Sequence, residues 1–349
     1  MKLMNLRRAV SLAMLGGAAL AIGAPASAAV LYNTGDATTA TIVLGMNNLG
    51  HLNATPNVTA NASATGIAYR FPAAAGAVGV FRDATAPGCL CEGWGVSVDR
   101  TSVVASVVGR AAVDVPNSGG ISNLTGLGFS ADAVKMDSEV ALTSLRGVTV
   151  RHVAQTSTNA PNALFRMEVT ITNGTDETLD NVRYVRVMDW DVPLTEFAEF
   201  VTIRGTATTT LLERSHNNGF AVPNPLGGDL PITAATLDVD FTDSGPRDHG
   251  AFFRFNFGSL EAGKSYTFNI FYGAAGTEAA ALAAIAAEKI ELFSLGQSNG
   301  GQITGSPATF IFGFAGVGGD PVIPTPEPGS LAMLGLGLLG LGFTRRRKA

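Results

Sequence analysis

The sequence is poor in the residues that staple small folds or carry chemistry. Its 349 residues include 2 cysteines, 4 histidines, 2 tryptophans and five lysines, and only 15% are charged. Two cysteines exclude both a disulfide framework and a cysteine-rich zinc module. Two apolar runs, Ala9–Ile22 and Leu331–Phe343, both fall short of the ~20 residues that a permanent membrane span requires. Repeats of fixed period are absent, which excludes solenoids and propellers. So is any basic patch with interleaved aromatics, which argues against nucleic-acid binding.

What is present is concentrated at the two ends. Lys2, Arg7 and Arg8 precede the apolar Ala9–Ile22, and Ala26-Ser27-Ala28 supplies small residues for cleavage between Ala28 and Ala29. This is the pattern of a secretory signal peptide over residues 1–28, and it implies Sec-type export and a signal peptidase. At the other end Pro326-Glu327-Pro328 leads into Gly329-Ser330, the apolar Leu331–Phe343 and the cationic Arg345-Arg346-Arg347-Lys348. A helix of that apolar run would be roughly 20 Å long against ~30 Å of hydrocarbon, and its glycines weaken it further. With the cations held on the cytoplasmic side, it reads as a transient inner-membrane anchor with the body outside.

Charge sharpens this. Setting aside the three leader and four tail cations leaves 16 Lys and Arg against 28 Asp and Glu, a net charge of −12 on the intervening chain. An acidic surface of this kind repels phosphate backbones.

The order Thr325-Pro326-Glu327-Pro328-Gly329-Ser330-Leu331, a Leu/Gly-rich run and a basic tail resembles the PEP-CTERM sorting signal. The resemblance implies export in a Gram-negative bacterium and processing by exosortase, a membrane-embedded transpeptidase-like enzyme. Pro326, Glu327 and Pro328 would be its recognition element, and Arg345, Arg346, Arg347 and Lys348 the membrane stop. It also implies a destination at the cell surface or in the extracellular matrix, and it names no activity for the body.

The body, residues 29–316, is rich in Gly, Thr, Val and Asn. Strand-like runs recur between turn residues, among them Trp94–Val98, Ser102–Val108, Gly147–Val153, Leu164–Thr172, Val182–Met188, Phe200–Arg204, Ala251–Phe257 and Ser265–Tyr272. Two hairpins are expected: Leu164–Thr172 with Val182–Met188, and Ala251–Phe257 with Ser265–Tyr272. The fold class is mainly β, an antiparallel β-sandwich in one large or two-part form. Added to it are a signal helix, a short C-terminal hydrophobic helix and one Ala-rich helix. That last helix, capped by Thr277, is expected from Glu278 to about Phe293 with a stop at Gly296. Ala308–Phe314 reads as a last strand, residues 317–325 as a Gly/Pro linker and 326–349 as the sorting signal. Loops within the body resemble those of immunoglobulin-like surface modules, which bears on fold alone.

Candidate sites are few. Cys89 and Cys91, after export, point to a local disulfide. Asp238, Asp240 and Asp243, followed by Asp248 and His249, offer oxygen ligands for Ca²⁺; equally, Asp238 and Asp240 could line the solvent face of a strand before a turn. Asp189, Trp190, Asp191 and Glu199, with Glu196 nearby, suggest an aromatic platform beside carboxylates, binding or hydrolysing extracellular polysaccharide. Alternatively, Asp189 and Asp191 pair with Arg183 and Arg186 while Trp190 fills core. No catalytic residue and no required cofactor stands out. The leading reading is a non-catalytic exported protein, with a carbohydrate-active one as the alternative.

Overall fold

Period-two alternation decides most of the architecture. Between Leu164 and Asn173 the apolar Phe165, Met167, Val169 and Ile171 recur at every second position, so an extended chain puts all four on one side. A computed structural model describes residues 27–72, 79–103, 105–227, 230–299 and 308–322, and it buries those four side chains. Arg166, Glu168, Thr170 and Thr172 lie half-buried on the opposite face. The signal helix, the linker beyond residue 322, and Pro326, Glu327, Pro328 and Arg345–Lys348 lie outside the described residues.

The chain opens with β1 (Ala28–Tyr32), β2 (Ile42–Asn47), β3 (Ile67–Phe71) and β4 (Val80–Asp83), which form a four-stranded meander. A hairpin of β5 (Glu92–Arg100) and β6 (Ala105–Ala112) and the one-turn helix α1 (Val115–Ser118) follow. Next come β7 (Leu124–Ala131), β8 (Lys135–Leu142), β9 (Leu145–Thr156), β10 (Leu164–Asn173), β11 (Leu179–Trp190), β12 (Glu199–Arg204) and β13 (Leu212–His216). The last elements are β14 (Phe241–Arg247), β15 (His249–Asn256), β16 (Ser265–Ala275), helix α2 (Glu278–Ala287), β17 (Leu292–Gln297) and β18 (Thr309–Ala315). A nine-stranded sheet runs β14-β12-β17-β18-β16-β10-β9-β8-β7 and a five-stranded sheet runs β13-β15-β11-β5-β6. Every pairing is antiparallel.

One apolar core joins the three sheets. Ile42, Leu44 and Ile67 enter it from the small sheet, Trp94, Met188, Phe253 and Phe255 from the five-stranded sheet, and Met167, Val169, Phe312 and Phe314 from the large one. Aromatic rings meet across the two larger sheets: Phe253 is centred 5.5 Å from Phe312, and Phe255 4.8 Å from Phe314. The molecule is therefore mainly β and built as facing antiparallel sheets.

Both expected hairpins are instead arches between sheets. β10 pairs with β9 and β16, whereas β11 pairs with β5 and β15, so the Asn173–Thr178 turn carries the chain from one layer to the other. Gly258–Lys264 does the same between β15 and β16. The two arches are stitched together by reciprocal Leu179–Leu260 backbone hydrogen bonds of 3.0 and 2.7 Å. The Asn173 side-chain amide adds bonds to the Glu177 and Leu260 carbonyls. Each strand has neighbours on both sides in its own sheet, and that outweighs local turn proximity.

Helix α2 is shorter than expected. Thr277 Oγ1 accepts the Ala280 N–H as its cap, but the helix ends at Ala287 and Lys289 adopts a left-handed φ of 53°. Leu292–Gln297 then becomes a strand with ladder bonds to both β12 and β18, more than a helix end could offer. Ala281, Ala284 and Ile285 still pack beside Ile290, Phe293, Phe271 and Ile311 on the outer face of the large sheet. The chain past β18 stays fastened to the body beyond residue 316. Glu291 accepts the N–H groups of Gly316, Val317 and Gly319, and Val322 N–H bonds to the Ile290 carbonyl.

Inside the sandwich lies a buried ion pair. Arg186 follows Tyr184 and precedes Met188 and Trp190 at the same spacing of two, so its guanidinium points into the core. Its Nε donates to Glu92 Oε1 at 2.5 Å, and its Nη1 donates to the Gly50 carbonyl and the Tyr184 hydroxyl. Glu92 Oε2 accepts the Leu52 N–H at 2.6 Å, and Trp94 Nε1 donates to the Leu49 carbonyl. These bonds tie loop 49–52, which ends the first β-hairpin, to β5 and β11. Burial by itself would lower the Arg186 value, but Glu92, Tyr272 and Tyr184 outweigh it and hold the guanidinium charged. Glu92→Gln leaves Arg186 buried without its counter-charge, and a loss of about 3–5 kcal/mol is expected. Urea unfolding checks this, with the double variant Glu92→Leu, Arg186→Met expected to lose less than either single change.

Candidate functional site

Asp189 and Asp191 stand two residues apart at the end of β11, on the face opposite Trp190. The β11–β15 ladder sets Asp189 against Gly250 and Trp190 against His249. Asp191 and Asp248 lie just past that last pair, one residue beyond Trp190 and one before His249. The three carboxylates offer oxygens that all lie within 4.8 Å of one another. Asp189 and Asp191 are 1% and 0% exposed, and Asp248 is half-buried.

The backbone at this end is firmly held. Asp189 N–H donates to the Cys91 carbonyl at 2.9 Å and Asp191 N–H to the Ala84 carbonyl at 2.7 Å. Cys89 and Cys91 are joined as a disulfide, with their Cα atoms 5.2 Å apart, and Cys89 Sγ lies 3.7 Å from Asp189 Oδ2. On the other side Asn217 accepts the Gly250 N–H, and the chain runs on through Gly219. A Cβ on Gly219 would lie 2.8 Å from Asp189 Oδ1 and 2.6 Å from its Cα, so only glycine lets this segment close over the carboxylate.

The carboxylates themselves have little to bond with. Asp189 Oδ1, both oxygens of Asp191 and Asp248 Oδ1 have no hydrogen-bond partner. Glu199, at the start of β12, lies beside them: its Oε1 accepts the His249 N–H at 3.1 Å and its Oε2 has no partner. Burial pushes Asp191 up to about 8, helped by the charges of Asp248, Asp83 and Glu196. Burial likewise pushes Glu199 up to about 9, and it lifts Asp189 well above the carboxylate range together with Asp191, Asp248 and Glu199. His249 is driven down to about 4, chiefly by burial, and stays neutral. Such a group can hold protons or a hard cation; it cannot remain bare and fully ionised without large repulsion.

This geometry redistributes the residues singled out from sequence. Asp189, Asp191 and Glu199 do converge, and Asp248 joins them from the other acidic stretch. Trp190 is no platform: it is 0% exposed, its Nε1 donates to Ser294 Oγ at 3.0 Å, and its ring covers Gly296. The polysaccharide-site reading is therefore not supported. Arg183 and Arg186 are not the partners of Asp189 and Asp191, since Arg183 pairs with Glu213 and Asp99 and Arg186 with Glu92.

Asp238, Asp240 and Asp243 do not gather around a calcium position. Asp238 accepts the Ser215 N–H and pairs with Arg214, Asp240 accepts the Thr206 N–H and hydroxyl, and Asp243 bonds to Thr202. Asp238 and Asp240 precede β14 instead of lying on a strand. Glu196 accepts from Asn61. At the chain start, Ala28 and Ala29 are the first two residues of β1, paired with Asn47 and Met46.

Residues 324–348 match the family model of the PEP-CTERM protein-sorting motif. The chain carries that sorting motif, which marks a sorted, exported protein and implies exosortase as its processing partner. No curated protein matches the chain. Among the described residues no helix is long and apolar enough to cross a membrane.

Two measurements check the site. Carboxyls whose values are raised by folding bind protons more tightly in the folded state than in the unfolded chain, where values lie near ~4. Their contribution to stability therefore falls as pH rises towards about 8 for Asp191 and about 9 for Glu199. Buried histidines act in the opposite sense only below their unfolded value of ~6.5. With divalent cations chelated, the urea midpoint should fall steadily from about pH 7 to about pH 9; a flat or rising profile contradicts this. Trp190→Ala should cost about 3–5 kcal/mol of stability in denaturant titration, as expected of a core residue.

Proposed function

We propose that this chain is an exported protein of the cell surface or extracellular matrix, delivered through its C-terminal signal, with a non-catalytic sandwich as its cargo. The match of residues 324–348 to the sorting motif carries the reading. The leader directs Sec-type export, and cleavage beside Ala28 and Ala29 leaves β1 nearly whole. The apolar run 331–343 then holds the chain in the inner membrane briefly, with the basic tail inside, until exosortase acts at or near Pro326-Glu327-Pro328. The reaction belongs to that enzyme; this chain is its substrate.

The body supports a passive role. Its convergent acids are closed over by the Gly219 segment, and its two tryptophans are core residues. The exit strand also suits delivery, because Glu291 fastens the chain as far as Gly319 and leaves only a short span before the motif.

Cell fractionation and mass measurement of a Pro326→Ala, Glu327→Ala, Pro328→Ala variant test the proposal. Wild-type protein should be recovered at the surface or in the medium without its tail. The variant should keep the tail and remain with the inner membrane. Unchanged processing and destination would sink the sorting claim.

A further inference from the structure

We propose that Asp189, Asp191 and Asp248 form a binding site for one hard divalent cation, calcium in preference to magnesium. Three observations converge on it. Their oxygens lie within 4.8 Å of one another, a separation that fits inside the ~5 Å between opposite oxygens around calcium. Asp191 is 0% exposed with both carboxylate oxygens unpartnered, and Asp189 is 1% exposed with Oδ1 unpartnered. A buried carboxylate oxygen with no donor is among the most costly groups a fold can contain. Finally, Asp191 and Asp248 lie just past Trp190–His249, the last pair of the β11–β15 ladder, and like charges this close repel unless something lies between them.

Among the described residues no cation is set against the cluster. Arg186, on the same strand, points to the other face and is committed to Glu92. Arg247, next to Asp248, donates to Thr233. The donor set is oxygen only, since His249 directs Nδ1 to Asn217 and its ring stands outside the group. All-oxygen donors select the hard cations over zinc or copper. Three protein carboxylates in one irregular cluster suit calcium, because magnesium usually takes one or two and keeps its water. A side chain on Gly219 would press against Asp189 Oδ1, so glycine keeps that oxygen clear of a neighbouring Cβ.

The test uses the exported protein as recovered from the cell surface or the medium, stripped with EDTA. Isothermal titration with calcium chloride should show one ion per chain, with a dissociation constant on the order of 10⁻⁴ M, as in extracellular calcium modules. Saturating calcium should raise the thermal midpoint by about 5 °C, and magnesium by less. Asp191→Asn and Asp248→Asn should each abolish the calcium-dependent rise while leaving the EDTA midpoint unchanged or higher, since each removes like-charge repulsion. Asp238→Asn should retain the full rise.

Absence of binding and of any thermal shift at about 10 mM calcium, roughly a hundredfold over that constant, overturns the proposal and leaves proton sharing as the cluster's state. A calcium shift that survives both substitutions places the ion elsewhere and also overturns it. Should a variant fail to fold, the wild-type stoichiometry decides by itself.

Discussion

The Arg186–Glu92 ion pair is the constraint around which this sandwich is arranged. A charge removed from water between two sheets costs several kcal/mol unless an opposite charge and further hydrogen bonds meet it. Arg186 meets Glu92 from the neighbouring strand, and further bonds run from Arg186 to the Gly50 carbonyl and the Tyr184 hydroxyl and to Glu92 from the Leu52 N–H. That loop belongs to the first, four-stranded sheet. A single buried pair therefore connects the N-terminal meander to the middle of the five-stranded sheet. Trp94, Tyr184 and His152 close round it: the Trp94 and Tyr184 rings stack at 5.7 Å, and His152 Nε2 lies 3.1 Å from the Tyr184 hydroxyl.

Three residues further along β11 the same accounting comes out differently. Asp189 turns to the outer face, and with Asp191 and Asp248 it makes a cluster of one sign. The interior charge meets its counter-charge within the chain, at Glu92; the acidic cluster is completed from solution, by a cation. The disulfide between Cys89 and Cys91 and the segment through Gly219 wall it on two sides. A strand that carries both arrangements on opposite faces joins the stability of the body to the ionic conditions it meets after export.

How much of this was legible depends on whether a feature is local. The sorting motif is contiguous, so its resemblance to the family's signal could be seen without the fold. Strands such as Leu164–Asn173 show in their alternation, and Thr277 shows as a cap because capping is decided within one turn. Which sheet a strand joins is not local: Asn173-Gly174-Thr175-Asp176 looks like a hairpin turn, yet it links two layers. The end of α2 failed for the same reason, since Leu292–Gln297 is drawn into the large sheet by partners from distant parts of the chain. Asp191 and Asp248 meet only through the β11–β15 register, 57 residues apart in sequence, and nothing near either residue announces it. Sequence proximity sets Arg186 beside Asp189 and Asp191, whereas its parity with Met188 and Trp190 turns it to the core and to Glu92.

The central claim is that the buried charges of β11 are matched, from within at Arg186 and from outside at Asp191. A crystal structure of the exported protein grown in calcium tests it most directly. The account predicts an ion 2.3–2.6 Å from oxygens of Asp189, Asp191 and Asp248. Carboxyl groups hydrogen-bonded to one another at about 2.5–2.7 Å, with no ion among them, would contradict it.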